Sequence, residues 1–165
     1  MPLSISEYWD NFYANDASYF VSKALTEKGD DVHSWSDWFP PSENHFREWH
    51  GKTVEKQRNL EVAVALPSNP FTKNAAATKH FLLISQTDTN LEIAVIDSQK
   101  GFPYAETFET LQLWEVKATD PRSNQIAVRH SYKLDWNDRP WAMGGTIERT
   151  THDKIQTAVE FYKDY

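Results

Sequence analysis

Apolar and polar residues alternate along residues 124–136 of the chain. Such alternation is typical of a β-strand with one buried face, because successive side chains of a strand point to opposite sides of the sheet. The apolar set of this segment comprises Ile126, Val128, Tyr132, Leu134 and Trp136. His130 falls on the same face, so the pattern predicts a half-buried strand that carries an ionisable side chain among core residues.

The period of two extends over most of the chain after Gly29. It predicts seven strands, at residues 31–39, 56–66, 76–86, 90–97, 106–118, 124–136 and 140–149. The links between them are short and rich in turn-forming residues, such as TDTN, TDPRSN and NDRP, so we expect sequential antiparallel hairpins. Gly144 and Gly145 in the last predicted strand would allow the strand to bend or a helix to approach closely.

Helical patterns flank the predicted strands. Ser4 and Glu7 form a capping-box pattern at the start of the first helix, and a second helix is predicted in DASYFVSKALTEKG, ending at its final glycine. Near the end of the chain, Thr150 and Asp153 resemble another capping box. The apolar residues on one face of the helix that follows are Ile155, Ala158, Val159 and Tyr162. Because no C-cap signal follows, we expect the chain to be a domain excised from a longer protein.

The order of the predicted elements indicates an α+β fold. Two short N-terminal helices, seven strands and a C-terminal helix would be arranged so that a long, curved antiparallel sheet wraps the last helix. The 165 residues suffice for one domain with its own core, and no linker or internal repeat divides them. We therefore treat residues 1–165 as a single domain.

Composition and charge narrow the functional classes. The net charge of −7 and the isoelectric point of about 5.3 argue against nucleic-acid binding, which needs a basic face. The absence of cysteine excludes disulfides, thiolate zinc ligands and thiol nucleophiles. The longest aliphatic runs, FLLI and VAVAL, are too short to span a bilayer, so any membrane contact is expected to be peripheral.

The sequence contains no recognised catalytic motif: it has no glycine-rich phosphate loop, no nucleophile elbow and no HExxH. We therefore expect no catalytic residue, no metal and no cofactor. His45 and His50 are five residues apart, which fits neither one face of a helix nor one face of a strand. We interpret them as solvent-exposed loop histidines, with a loop zinc site as the alternative.

Polar residues also fall on the apolar face of the strand predicted just before residue 124. Thr110 and Gln112 share that face with Phe108, Trp114 and Val116. Burying an unpaired hydroxyl, amide or imidazole costs about 1–3 kcal/mol, so such groups need partners. A hydrogen bond to a neighbouring strand or to a buried water would provide one. A ligand cavity would do so as well, since its walls are mostly apolar with a few orienting polar groups, and the residues alone leave both interpretations open.

The segment LPSNPFTKNAAATK connects the second and third predicted strands and contains two prolines. No acidic residue occurs in residues 62–87, and Lys73, Lys79 and His80 make this region locally positive. Phe71 is expected near the tip of the loop. An exposed phenylalanine beside lysines is typical of a loop that touches a membrane, although a lone exposed phenylalanine often has no role.

Five motifs together resemble a known family. They are SISEYWDNFYANDASYF, GDDV followed by SWSDW, RNLEVAVALPSNP, GFPYAETFETLQLWEV and GGTIERTT, and they span essentially the whole chain. These motifs resemble those of the VASt family. The first is similar to the opening helices of that family, the second to its first strand, and the third to its Arg-led second strand with a proline-bearing loop. The fourth is similar to the proline–tyrosine start of a long strand, and the fifth to the Ile-Glu signature before the last helix. VASt is a StART-like lipid-binding module of sterol-transfer proteins at membrane contact sites, where it occurs with a GRAM domain and a membrane anchor.

The resemblance implies a helix-grip fold, in which seven antiparallel strands and the terminal helix enclose a cavity for a sterol. It assigns to a membrane lid the loop that contains Pro67, Pro70, Phe71 and Lys73. The face assignments above provide the candidates for ligand contact, which are Gln112, Trp114, His130 and Tyr132. A sterol hydroxyl would be held by Gln112, His130 or an ordered water.

The functional hypothesis is binding of a sterol or similar lipid in an internal cavity and its transfer between membranes. The expected partners are the lipid and, transiently, a membrane surface; no nucleic acid is expected, and the domain is expected to be monomeric. The resemblance implies an intracellular location, on the cytosolic side of the endoplasmic reticulum at contact sites. A lipid sensor or protein-interaction module without transfer activity is the first alternative, and an enzyme of the related helix-grip cyclase type is the second.

Overall fold

The computed structural model describes residues 3–17, 29–42, 45–65, 72–120 and 124–163 of the chain. The described helices are α1 (Ile5–Phe12) and α2 (Gly144–Lys163), with a short 3-10 helix at Ala105–Thr107. The strands are β1 (Asp31–Trp35), β2 (Glu48–Trp49), β3 (Lys52–Thr53), β4 (Lys56–Ala65), β5 (Asn74–Gln86), β6 (Asn90–Lys100), β7 (Phe108–Asp120) and β8 (Gln125–Trp136). The predicted second helix falls mainly on residues 18–28, which lie outside the described residues.

Six strands form one antiparallel sheet in the order β1–β4–β5–β6–β7–β8. From β4 onward each strand pairs with the next one along the chain, so these hairpins are sequential as predicted. The α+β class, with a large antiparallel sheet and a C-terminal helix, is therefore confirmed. The first strand is shorter than predicted: β1 ends at Trp35, and only an isolated bridge between Phe39 and Gln57 follows it.

The strand predicted at residues 140–149 is wrong, and in the described part of the chain the main sheet has six strands rather than seven. Residues 140–143 precede a helix, α2, that begins at Gly144. The less exposed side chains along α2 include Ile147, Thr151, Ile155 and Val159. Their spacing of four is that of one helix face. The capping box predicted at Thr150 and Asp153 is also wrong, because both residues lie inside this helix.

A small hairpin of β2 and β3 lies outside the main sheet and is absent from the sequence prediction. His50 and Gly51 form its turn, with φ angles of 47° and 77°. A two-residue turn of this kind needs left-handed backbone at both positions. His45 and His50 are both exposed.

The sheet carries buried side chains on both faces. We call the face that packs against α1 and against Val159 of α2 the inner face. Its buried sheet residues are Leu60, Val62, Ala77, Phe81, Leu83, Leu91, Ile93, Val95, Trp114, Val116 and Ile126. The opposite face, the outer face, has a smaller cluster that comprises Val54, Leu82, Ile84, Ala94, Ile96 and Leu111. Successive residues of β5 and β6 alternate between these clusters, so the central strands are covered on both sides.

Arg58 of β4 joins the end of α1 to the sheet. Its side chain is fully buried, and its guanidinium carbon lies 3.7 Å from the centroid of the Trp35 ring. Nη1 donates to the carbonyl oxygen of Tyr13 at 2.8 Å, and Nε donates to the carbonyl oxygen of Ser36 at 2.9 Å. Burial lowers the pKa of Arg58 to about 10, so the side chain stays charged at neutral pH. Arg58 thus satisfies carbonyl groups that the end of α1 leaves unpaired.

Helix α1 begins with the capping box that the sequence predicts. The Ser4 hydroxyl accepts a hydrogen bond from the amide of Glu7, and the Glu7 carboxylate accepts one from the amide of Ser4. Neither described helix has both the length and the apolar composition that a membrane span requires.

Candidate functional site

The inner face of β7 and β8 brings together the four side chains predicted to contact a ligand. Gln112 pairs with Tyr132, and Trp114 pairs with His130, across the two strands. Trp114 is buried, whereas the other three side chains are half-buried. The grouping follows from the alternation in the sequence, because residues two positions apart on a strand share a face. Their position on one patch is therefore as predicted, and their role as ligand contacts stays a prediction.

His130 lies at the centre of this patch and is hydrogen-bonded to the neighbouring strand. Its Nε2 atom lies 3.1 Å from Oε1 of Gln112, and its ring centroid lies 4.1 Å from that of Trp114. Burial lowers the pKa of His130 to about 4, so the imidazole is neutral at pH 7. A neutral imidazole that donates from Nε2 keeps Nδ1 as an acceptor. The hydrogen bond to a neighbouring strand, one of the two interpretations of this residue, is thus present.

Helix α2 contacts the patch through Tyr132. The Tyr132 hydroxyl is hydrogen-bonded to Nδ1 of His152, which lies on α2. Two residues further along the helix, Nζ of Lys154 donates to the carbonyl oxygen of Ala65 at the end of β4, at 2.9 Å. Because β4 and β8 lie on opposite sides of the central strands, α2 extends across the inner face of the sheet.

The apolar inner face of β8 is less covered than the centre of the sheet. Val128, Leu134 and Trp136 are half-buried, whereas Leu91 and Ile93 of β6 are 0% exposed. The sheet thus leaves apolar surface next to the polar groups of Gln112, His130 and Tyr132. Apolar walls with a few oriented polar groups are typical of sites that bind small apolar molecules.

A second polar group, which the sequence analysis missed, crosses the inner face nearer the β4–β5 loop. Lys79 of β5, Asp97 of β6 and Thr110 of β7 are direct cross-strand neighbours. Lys79 forms an ion pair with Oδ2 of Asp97, and the two side chains are 19% and 7% exposed. Oδ1 of Asp97 and Oγ1 of Thr110 have no hydrogen-bond partner in the described ranges. Thr110 appears in the prediction only as a residue on the apolar face.

The pattern that singles out His130, a polar residue on the apolar face of a strand, also singles out Lys79 and Asp97. Asp97 falls in alternation with Leu91, Ile93 and Val95, and Lys79 falls in alternation with Ala77 and Phe81. Lys79, which was counted toward the locally positive region near the loop, is ion-paired with Asp97 on the inner face, so it adds little to that positive charge.

The ammonium group of Lys154 joins α2 to the end of β4, where it donates to the carbonyl oxygen of Ala65. Burial lowers the pKa of Lys154, the nearby charges of Asp30 and Asp97 raise it, and that of Lys79 lowers it. Lys79, Asp97 and Thr110 lie on the inner face, which α2 crosses.

The predicted lid loop connects β4 to β5 at this end of the sheet. Pro67, Pro70 and Phe71 lie outside the described residues. Lys73 is described and exposed, directly before the start of β5. The loop leaves β4 at Ala65, whose carbonyl group accepts the hydrogen bond from α2, so it begins beside that helix.

The inner-face groups are suited to binding without covalent chemistry. They comprise a neutral imidazole, an amide, a phenol, a hydroxyl and an ion-paired carboxylate, all held among apolar side chains. In the described segments, no group of three or more His, Asp or Glu side chains is arranged to hold a metal ion. The arrangement can hold a largely apolar molecule and form hydrogen bonds with its few polar atoms.

The model of the VASt family, described as VAD1 Analog of StAR-related lipid transfer domain, matches residues 1–154 of the 165 residues. No curated protein matches the chain. VASt is a family of lipid-binding domains rather than of enzymes. Because the match covers nearly the whole sequence and the sheet and helix agree with it, the chain belongs to the VASt family of StART-like lipid-binding domains.

Proposed function

We propose that this domain binds a sterol or a similar lipid between the inner face of its sheet and helix α2, and that it transfers the lipid between membranes at contact sites. The observation that carries the proposal is the half-covered apolar face of β8 beside neutral polar groups. The same proposal places the domain on the cytosolic side of the endoplasmic reticulum, as a monomer that touches membranes only transiently.

The apolar part of the site supplies the affinity in this proposal. Val128, Leu134 and Trp136 are half-buried, and each 100 Å² of apolar surface that leaves water contributes about 2.5 kcal/mol. A rigid ring system covers such a wall with little loss of conformational entropy. Gln112 and His130 add polar surface beside this wall without bringing a charge, because the imidazole is neutral at pH 7.

Filling the proposed site with a larger side chain tests binding. Leu134→Trp should weaken the binding of a fluorescent sterol about tenfold or more, because Leu134 is half-buried on the inner face. Lys133→Trp is the matched control, since Lys133 is exposed on the outer face of the same strand. Equal affinity of both variants and the wild type would place the lipid elsewhere.

Transfer requires contact with a membrane, and the loop between β4 and β5 is proposed to make it. Phe71 inserts into the interface, which contributes about 1.5–3 kcal/mol, while Lys73 contacts lipid headgroups for about 1 kcal/mol near an anionic surface. Pro67 and Pro70 restrict the backbone of the loop. These contributions are small enough for brief visits to the membrane.

Phe71→Asp tests this role of the loop. The substitution should slow sterol transfer between liposomes severalfold or more and should leave equilibrium binding of soluble sterol nearly unchanged. Phe46→Asp serves as the control, because Phe46 contacts His80 on the outer face. Transfer at the wild-type rate by Phe71→Asp would exclude the loop as the membrane lid.

A lipid sensor or protein-interaction module is the second candidate. The supporting observations are the net charge of −7 and a cleft of about 480 Å³ at the outer face, in whose lining the carboxylates of Glu106 and Glu109 outnumber the one lysine, Lys100. A basic partner would suit such a cleft. The liposome assay separates the candidates, because a sensor would bind sterol without exchanging it rapidly.

A further inference from the structure

A row of three polar side chains crosses the inner face in register, from Lys79 through Asp97 to Thr110. Asp97 is 6% exposed and Thr110 is 2% exposed. Lys79 occupies one carboxylate oxygen of Asp97, Oδ2. Within the described residues, Oδ1 of Asp97 and Oγ1 of Thr110 have no hydrogen-bond partner. Unpaired polar atoms at this depth are rare and costly in native proteins, so a partner that binds there would relieve the cost.

We propose that Asp97 and Thr110 form the point at which this domain recognises a free hydroxyl group on its lipid. The inference rests on the proposed lipid-binding function. A hydroxyl group offers one donor and also accepts. Its hydrogen is donated to Oδ1 of Asp97, and its oxygen accepts the hydrogen of the Thr110 hydroxyl. Directly opposite residues of neighbouring strands have Cβ atoms about 4.5–5.5 Å apart, so one small group reaches both.

The chemistry of the two atoms restricts the ligand class. A carboxylate oxygen only accepts hydrogen bonds, so its partner must carry a donor. An ionised phosphate diester offers acceptors alone, and esters and ethers of a sterol have lost the hydroxyl hydrogen. The class that fits both Asp97 and Thr110 is an unesterified lipid alcohol, such as a 3β-hydroxysterol.

The polar groups nearer the other end of β8 are already engaged with each other. His130 is hydrogen-bonded to Gln112, and Tyr132 is hydrogen-bonded to His152. Gln112 lies two residues beyond Thr110 on β7, or about 7 Å along the strand. Hydrogen bonds from the ligand hydroxyl to the unpaired atoms of Asp97 and Thr110 therefore contribute more binding free energy than bonds to these groups, which already have partners.

The ligand pair that tests the proposal is cholesterol and its 3-methyl ether, which keeps the oxygen but has no hydroxyl hydrogen. Displacement of a fluorescent sterol from the wild-type domain measures both affinities. Cholesterol should bind about tenfold more tightly or better, the scale of one hydrogen bond to a charged group. If the two bind equally, lipid binding stands and this inference fails. If neither binds, the proposed function fails and the inference falls with it.

Two variants test which residues cause the preference for cholesterol over its 3-methyl ether. Thr110→Val should weaken both sterols about fivefold or more, since both oxygens accept, and should not lower Tm, because the lost hydroxyl has no described partner. The double variant Lys79→Met with Asp97→Leu removes the charge pair as a unit, which a fold commonly tolerates. It should bind cholesterol and the ether equally. Thr78→Val repeats the threonine change on the outer face and should alter neither affinity.

Three results would contradict the proposal. Retention of the wild-type preference for cholesterol by the double variant excludes Asp97 as the acceptor. Loss of that preference in His130→Leu instead places the hydroxyl at the Gln112–His130 pair. A drop in Tm for Thr110→Val with unchanged sterol affinity shows that Thr110 has a structural role only.

Discussion

Acidification should destabilise this domain through His130, because its imidazole is buried in the neutral form. Burial lowers the pKa of His130 from 6.5 to about 4. Well above pH 6.5 the residue is neutral in both the folded and the unfolded chain, so it does not make stability depend on pH there. As the pH falls from 6.5 toward 4, the unfolded chain binds a proton that the folded domain does not, and stability is lost. At pH 5 the loss due to His130 alone is expected to be about 1–2 kcal/mol, because solvent screens part of the effect at a half-buried ring.

His130→Gln removes this titration and keeps a side chain that can hydrogen-bond to Gln112. The free energy of unfolding, measured in urea at pH 7.5 and at pH 5.0, should fall by about 1–2 kcal/mol more in the wild type than in the variant. All other titrating groups are common to both proteins and cancel in the comparison. His33→Gln is the control, since His33 is exposed on β1, and it should behave as the wild type does. Equal losses in the wild type and His130→Gln would refute the argument, since the imidazole would then be open to water.

Two further predictions concern stability at neutral pH, and urea denaturation checks both. Arg58→Met should lower the free energy of unfolding by about 3 kcal/mol or more, because the carbonyl groups of Tyr13 and Ser36 lose a buried charged donor; a loss below about 1 kcal/mol would mean that water replaces the guanidinium. Ser4→Ala should cost about 1 kcal/mol, since the hydroxyl that accepts from Glu7 is removed, whereas Ser4→Asp, which keeps a capping oxygen, should cost little.

The strands were predictable from their apolar residues: β8 buries one face and alternates, whereas β5 and β6 are covered on both faces and contain continuous apolar runs such as FLLI. Burial on one face leaves a period of two in the sequence whatever the neighbouring strands are. The helical start of α2 was not predictable from the same window. Within residues 140–149 only Ile147 lies on the apolar stripe of the helix, and the stripe becomes visible only when Ile155 and Val159 are included. A period of 3.6 needs several turns to be distinguished from a period of two.

Tertiary contacts also favour the helix at this position. Arg139, just before α2, forms a two-point ion pair with Glu148 in its second turn. Gly144 leaves room for this pair, because a Cβ atom at that position would lie 2.8 Å from Cζ of Arg139. Gly144, one of the two glycines that suggested a bend in a strand, thus allows the close approach of a side chain to a helix, which no sequence pattern encodes.

The Gln112–His130 part of the candidate site was predictable from the sequence, whereas the Lys79–Asp97 pair was not, because it depends on the register between two strands. His130 and Gln112 stand out because an amide or imidazole on an apolar face is unusual. A charged residue on such a face is normally interpreted as surface, since charges are rarely buried unless paired. The partner of Lys79 is Asp97, eighteen residues away on another strand. Only the register of β5 against β6 brings the two together, and alternation within one strand contains no information about register.

Stability and binding depend on different parts of the sheet. Strands β5 and β6 bury Leu82 and Ala94 on the outer face and Leu83 and Ile93 on the inner face, all at 0–1% exposure. Shortening one of these side chains leaves a cavity that the closely packed neighbours cannot fill, so the main effect should be a lower free energy of unfolding. Strand β8 lies at the edge of the sheet, and its inner face is half-covered. Shortening a side chain there leaves a smaller cavity and removes surface that a ligand can contact. Substitutions should therefore change unfolding at the centre of the sheet and lipid affinity along β8.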